Sequence, residues 1–253
     1  MGTLQKIIES KHSELNTLRT SLPRSSYTPR PFSLRREDHL HLMCEIKFRS
    51  PSAGDLSTAL SVEDRAKTYT LGGASLISVL VDAPFFGGAW QNLTKAREAC
   101  DTPLLAKEFV LDECQLDAAV AYGADAVLLI VRCLTKSKLE ELHAGAVTRG
   151  LMPLVEVNTE AELATALNVG AQVIGVNARN LDTLQMDAEQ ATRVLQQIPP
   201  THTALYLSGT REAKDVAEHA TSRADGVLIG ECLMRRDDPL PLLQEFARNA
   251  SIR

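Results

Sequence analysis

Gly123-Ala124-Asp125-Ala126-Val127-Leu128-Leu129-Ile130-Val131 decides the fold of this chain. The stretch before it, Cys114–Tyr122, carries apolar residues near a 3.6 period, as a helix with one buried face does. A glycine directly after such a stretch is the expected stop, because it enters the left-handed region without a Cβ penalty. The apolar run that follows shows no polar alternation, which marks a strand covered on both faces, as in parallel sheets.

The same unit recurs on either side. Gly73-Ala74-Ser75, Gly170-Ala171-Gln172 and Ala224-Asp225-Gly226 also precede apolar runs. Eight runs can be counted: His41–Lys47, Leu76–Val81, Leu104–Phe109, Ala126–Val131, Pro153–Val157, Val173–Asn177, Ala204–Ser208 and Gly226–Gly230. Helix-patterned stretches separate them, among them Val62–Leu71, Leu93–Cys100, Lys136–Val147, Glu160–Val169 and Ala213–Ala220. Eight such units close most naturally into a (β/α)8 TIM barrel, and 253 residues match its usual size of about 250. The alternative, an open doubly wound sheet, ordinarily carries a glycine-rich phosphate loop after its first strand. Phe48–Ser52 is not one. Residues 41–253 therefore read as the barrel, and residues 1–40 as an N-terminal helical extension of the same single domain. Leu4–Leu18 predicts one or two helices, and Pro23, Pro29 and Pro31 break the chain before the first strand. The extension is expected to pack on the barrel, with the mouth as one place to lie.

Composition narrows the partners. A net charge of -5 gives no electrostatic reason to expect nucleic acid or an anionic membrane surface, while local positive charge can still serve a small anionic substrate. Five scattered cysteines with no CxxC or Cys/His ligand spacing fit free thiols in a reducing, cytoplasmic compartment. No apolar run approaches the roughly 18 residues that a membrane span needs. The segment Met1–Glu14 lacks the apolar centre of a secretory signal.

The chemistry sits where the runs end, which in barrels of this kind is where active sites form. Glu45 and Lys47 alternate with Ile46 and so share a face. Lys107, Glu156, Asn177 and Ser208 close later runs. The two lysines are read as cations in largely apolar settings, where desolvation lowers the pKa and suits proton donation. Glu45 and Glu156 either stay charged beside them or act as bases, and Asn177 can orient a hydroxyl or carbonyl. Ser208-Gly209-Thr210 and Gly230-Glu231 follow the seventh and eighth runs, the common phosphate position of barrels, with Lys47 and Arg179 as sources of positive charge. Glu231 suits a phosphate only if its side chain turns away and its N–H alone contributes. Phe85-Phe86-Gly87-Gly88-Ala89-Trp90 and Phe109 group aromatics near one rim in a chain that is only 4% aromatic. They fit either a flat apolar substrate ring or ordinary packing beneath a loop.

Together these residues resemble the indole-3-glycerol phosphate synthase family. The carriers are Glu45–Ser52, Phe85–Gly88, Leu105–Phe109, Ala124–Val131, Leu154–Val157, Gly175–Leu181 and Leu233–Arg235, in family order from near residue 4 to near residue 247. The resemblance implies ring-closing decarboxylation and dehydration of 1-(2-carboxyphenylamino)-1-deoxyribulose 5-phosphate in tryptophan biosynthesis, without metal or organic cofactor, by a monomer or weak homo-oligomer. It also implies roles. Lys107 would be the general acid at the ribulose carbonyl. Lys47 would contact substrate carboxylate or phosphate, and Glu156 would serve dehydration. Glu45 and Asn177 would hold the lysines and substrate hydroxyls, and Ser50 would touch the carboxylate. Phe86 and Phe109 would bracket the ring, with Ser208 a further substrate contact. Arg179, Gly209, Gly230 and Glu231 would line the phosphate site. The seventh strand departs from the family: Leu207-Ser208-Gly209-Thr210 stands where Glu-Ser-Gly-Ile is usual, and Glu108 replaces a usual Asp. A working but slower enzyme is the expectation. The competing readings are another enzyme on this scaffold and a non-catalytic or specialised paralogue that binds a related phosphorylated ligand.

Overall fold

The computed structural model describes residues 2–23, 25, 27–52 and 54–251. Eight parallel strands close a barrel: β1 (His41–Ile46), β2 (Leu76–Leu80), β3 (Leu104–Lys107), β4 (Ala126–Ile130), β5 (Met152–Val157), β6 (Val173–Asn177), β7 (Thr203–Leu207) and β8 (Gly226–Ile229). Each strand pairs in parallel with its neighbours, and β1 closes the ring against both β2 and β8. Every expected run overlaps one of these strands, with β5 and β7 starting one residue earlier, at Met152 and Thr203. The third ends at Lys107, so Phe109 belongs to the loop beyond it. Gly73, Gly123 and Gly170 take φ values of 89°, 95° and 80°, the left-handed stop expected after a helix.

Alternation along the strands builds two apolar layers. Leu42, Cys44 and Ile46 face the surrounding helices with Ile77 and Val79, whereas Met43, Leu76, Leu105, Leu128, Leu154, Leu205, Leu207 and Leu228 fill the barrel interior. β6 needs a glycine inside: a Cβ on Gly175 would lie 2.6 Å from Leu207 Cδ1 and 2.8 Å from Leu154 Cδ2.

Small elements with no counterpart in the sequence reading include two beside the cavity. A hairpin pairs Arg49–Ser50 with Gly54–Asp55, and a one-turn helix spans Ala83–Phe86. Both are too short to show a period. The helix is instead fixed by its ends: Asp82 Oδ1 accepts from the Phe85 and Phe86 N–H groups at 2.8 and 3.1 Å, and Gly87 closes it at φ 65°.

The extension forms one helix, Thr3–Ser21, whose buried stripe is Leu4, Ile7, Lys11 and Leu15. The arm after it is held by two carboxylates in equivalent places. Asp125 and Asp225 each precede a strand, and each binds the first N–H groups of the strand before: Leu104 N at 2.9 Å and Ala204 N at 2.7 Å. Each also accepts from the arm, Asp125 from Arg30 N (2.9 Å) and from the Tyr27 hydroxyl, Asp225 from Arg36 N (3.2 Å). Between these ties Leu34 is buried in the interior cluster. Asp125 is fully buried and also meets Arg30 and Arg97. Asp125→Ala should therefore lower unfolding stability by about 3–5 kcal/mol, read by chemical denaturation, because donors and cations lose their shared acceptor. A loss below about 1 kcal/mol would show that the arm is only loosely attached. Among the described residues no helix is long and apolar enough to cross a membrane.

Candidate active site

At the C-terminal ends of the strands lies a cavity of about 1090 Å³, counting its open mouth. All thirteen residues singled out above line it: Glu45, Lys47, Ser50, Phe86, Lys107, Phe109, Glu156, Asn177, Arg179, Ser208, Gly209, Gly230 and Glu231. Strand direction alone explains much of this gathering, since parallel strands in one barrel present their last inward residues to one face.

The charged groups form two pairs. Lys47 Nζ lies 2.5 Å from Glu45 Oε1, and Lys107 Nζ lies 3.0 Å from Glu156 Oε2. The expectation of lysines in largely apolar settings is therefore corrected: each ammonium rests against a buried carboxylate. The second pair extends into a chain. Glu156 Oε1 accepts from Asn177 Nδ2 at 2.9 Å, Asn177 Oδ1 accepts from Arg179 N at 2.9 Å, and Asn158 Nδ2 donates to the Asn177 carbonyl. The chain fixes which way the Asn177 amide points and leaves Glu156 with both oxygens engaged.

Backbone geometry is unusual on the adjoining wall, after β7. Ser208 has φ 75°, a left-handed conformation rare for a residue with a Cβ, and Gly209 follows at φ 100°. Gly230 is required by contact. A Cβ there would lie 2.7 Å from Glu45 Oε1 and 3.1 Å from Lys47 Nζ. Gly230→Ala should therefore push the first pair aside and raise KM about tenfold, roughly 1.4 kcal/mol of binding. An unchanged KM would show that Lys47 tolerates the shift. The Glu231 carboxylate is drawn to Arg235 Nε at 3.0 Å, one turn along the short helix Glu231–Met234. Buried Arg65 holds that helix from its other end, donating to the Leu233 and Met234 carbonyls at 3.4 Å. Arg179 is anchored by NH1 on the Leu184 carbonyl at 3.0 Å.

The aromatics divide. Phe86 and Phe109 line the cavity with ring centroids 6.0 Å apart, whereas Trp90 packs in the outer layer with its ring stacked on Tyr122 at 5.9 Å. For Trp90 ordinary packing is the correct account. Leu207 is 2% exposed and joins the interior apolar cluster, paired in register with Asn177. Among the wall residues that escaped the sequence reading are Thr3 and Ile7 from the N-terminal helix, Leu184 after β6, and Arg211 after β7. Ile7 was visible as part of an apolar stripe, but nothing local said that the stripe meets the mouth.

Comparison with known proteins places the chain in a family. The family model for indole-3-glycerol phosphate synthase matches residues 4–246. An indole-3-glycerol phosphate synthase of Desulfosudis oleivorans is 37% identical over 256 residues, covering 96% of this chain and 97% of that protein. Indole-3-glycerol phosphate synthase 1 of Streptomyces coelicolor is 43% identical over 204 residues, covering 81% and 76%. A 3-hexulose-6-phosphate synthase structure superposes with a TM-score of 0.67 at 15% identity, covering 84% of this chain and 100% of that one, a likeness of fold alone. Matched by the family model over nearly its whole length, the chain belongs to the indole-3-glycerol phosphate synthase family.

Proposed function

We propose that this protein is an indole-3-glycerol phosphate synthase of tryptophan biosynthesis. It closes the indole ring of 1-(2-carboxyphenylamino)-1-deoxyribulose 5-phosphate with loss of one CO2 and one water. The observation that carries this reading is the convergence of two lysine–glutamate pairs and Asn177 on one cavity, with an aromatic pair in the same wall.

Ring closure breaks aromaticity as the carboxylate-bearing aryl carbon attacks the ribulose carbonyl. It needs a proton on the carbonyl oxygen, and Lys107 supplies it. Departure of CO2 restores the ring and needs no base. Dehydration needs an acid for the leaving hydroxyl and a base for a ring proton. Glu156 serves there, with Lys47 aiding hydroxyl departure and contacting substrate carboxylate or phosphate. Glu45 and Asn177 hold the lysines and substrate hydroxyls. Ser50 contacts the carboxylate, Phe86 and Phe109 flank the ring, and Ser208 adds a substrate contact. The ribulose phosphate, held by Arg179, Gly209, Gly230 and the Glu231 N–H, is the remote handle that orients the reacting end. The net charge of -5 and the free thiols support a cytoplasmic enzyme, which is taken to be monomeric or weakly self-associating.

Growth of indole fluorescence on adding the carboxyphenylamino ribulose phosphate tests the assignment. Binding without product would favour a non-catalytic paralogue, a reading that Leu207 alone prompts. The same assay addresses Leu207 itself. Leu207→Glu places a carboxylate beneath Asn177 and should raise turnover up to about tenfold. It should cost about 1–3 kcal/mol of stability, because it also sits among Leu154 and Leu205. Unchanged or lower turnover would show that no acid is wanting there.

A further inference from the structure

Lys11 breaks the pattern of its helix. It occupies a buried stripe position between Ile7 and Leu15 and is 1% exposed. A lysine in such a place is held only by specific partners, and it has three: Asp82 Oδ2 at 2.8 Å, Glu14 Oε2 at 2.9 Å and Glu108 Oε2 at 3.2 Å. Two of these carboxylates divide their oxygens in the same way. Asp82 gives Oδ2 to Lys11 and Oδ1 to the N–H groups of Phe85 and Phe86. Glu108 gives Oε2 to Lys11 and Oε1 to the Phe109 N–H at 2.7 Å. One ammonium therefore fastens both backbone segments that carry the cavity's aromatic pair, and Glu108 adjoins Lys107. Among the described residues, none of the three partners of Lys11 follows β7 or β8, where the glycines of the proposed phosphate site lie, and those strands are not adjacent to β2 or β3.

We propose that Lys11 is a positioning residue for the aromatic side of the substrate cavity, acting through Asp82 and Glu108 on Phe86 and Phe109. The proposal rests on the synthase reading for its substrate, but its mechanical content does not. Burial lifts the Glu108 carboxyl to about 7, against the pull of Lys11. Without the ammonium this carboxyl is protonated near neutrality and its grip on Phe109 N–H weakens. Ile7, one turn before Lys11, lines the cavity itself, so the helix that carries Lys11 is also part of the wall.

The test compares Lys11→Met with the unaltered protein by calorimetric titration of two probes, anthranilate for the ring end and inorganic phosphate for the other, alongside KM and kcat. The expected result is at least a tenfold loss of anthranilate affinity and a similar rise in KM. Phosphate affinity should stay within twofold, and kcat should fall less than KM rises. Parallel loss of both probes, or unchanged anthranilate affinity in a folded variant, overturns the proposal. So does failure of the unaltered protein to bind anthranilate at all. Should Lys11→Met not fold, Lys11→Met with Glu108→Gln and Asp82→Asn removes both unmatched buried carboxylates and is judged by the same split. Absence of indole product from the unaltered protein would overturn the synthase reading, while the two titrations still decide the role of Lys11.

Discussion

Lys107→Ala should lower kcat by about a thousandfold or more while the barrel stays folded. The ammonium sits at the last residue of β3, projects into the cavity and is held 3.0 Å from Glu156. That is the arrangement of a proton donor kept in one place before the substrate arrives, so little reorganisation is needed when the carbonyl oxygen becomes basic. Alanine leaves space for water, but water is a far weaker acid and is not aimed. The side chain is not part of either apolar layer, so thermal unfolding should shift by only a few degrees. Indole fluorescence under saturating substrate measures the loss. Retention of more than about a tenth of the turnover would transfer the acid role to another group, with Lys47 the first candidate.

Glu156→Gln should cost about a hundredfold in kcat with little change in KM. The amide keeps the volume and can still accept from Asn177, whose own orientation is fixed by Arg179 N–H. What disappears is a charge that holds Lys107 and a base that takes a proton during dehydration. The two functions can be separated. If Glu156 acts mainly by orienting Lys107, the ring-closed intermediate does not accumulate in the variant. If it serves dehydration, single-turnover experiments should show CO2 released faster than indole fluorescence grows. A variant with full kcat would remove Glu156 from the mechanism altogether.

Much of this architecture was legible in the chain, for identifiable reasons. Strands such as Ala126–Ile130 declare themselves because both faces are buried, and glycines such as Gly123 mark helix ends because φ must turn positive there. Strand-end residues could then be assigned to one rim before any contact was known, since parallel order in a barrel leaves them no other place. Contacts between separate units were not legible. The partner of Lys107 is Glu156, two strands away, and nothing in the spacing excluded an apolar surrounding. Trp90 resembled its neighbour Phe86 in sequence yet packs outward against Tyr122, because the turn at Gly87 redirects the chain between them. The four-residue helix Ala83–Phe86 owes its existence to Asp82 and Gly87 rather than to any periodicity. Nothing local to Lys11 announces the three carboxylates, from two other elements and its own helix, that surround it.

The arm that follows the first helix also constrains how the molecule is made. Its two anchors lie far apart along the chain: Tyr27 and Arg30 wait for Asp125, just before β4, while Arg36 waits for Asp225, just before β8. A polypeptide leaving the ribosome exposes this arm first and can secure it fully only when the last strand has appeared. A nascent half-barrel thus holds only the Asp125 half of its clasp, and emergence of β8 is what fastens Arg36.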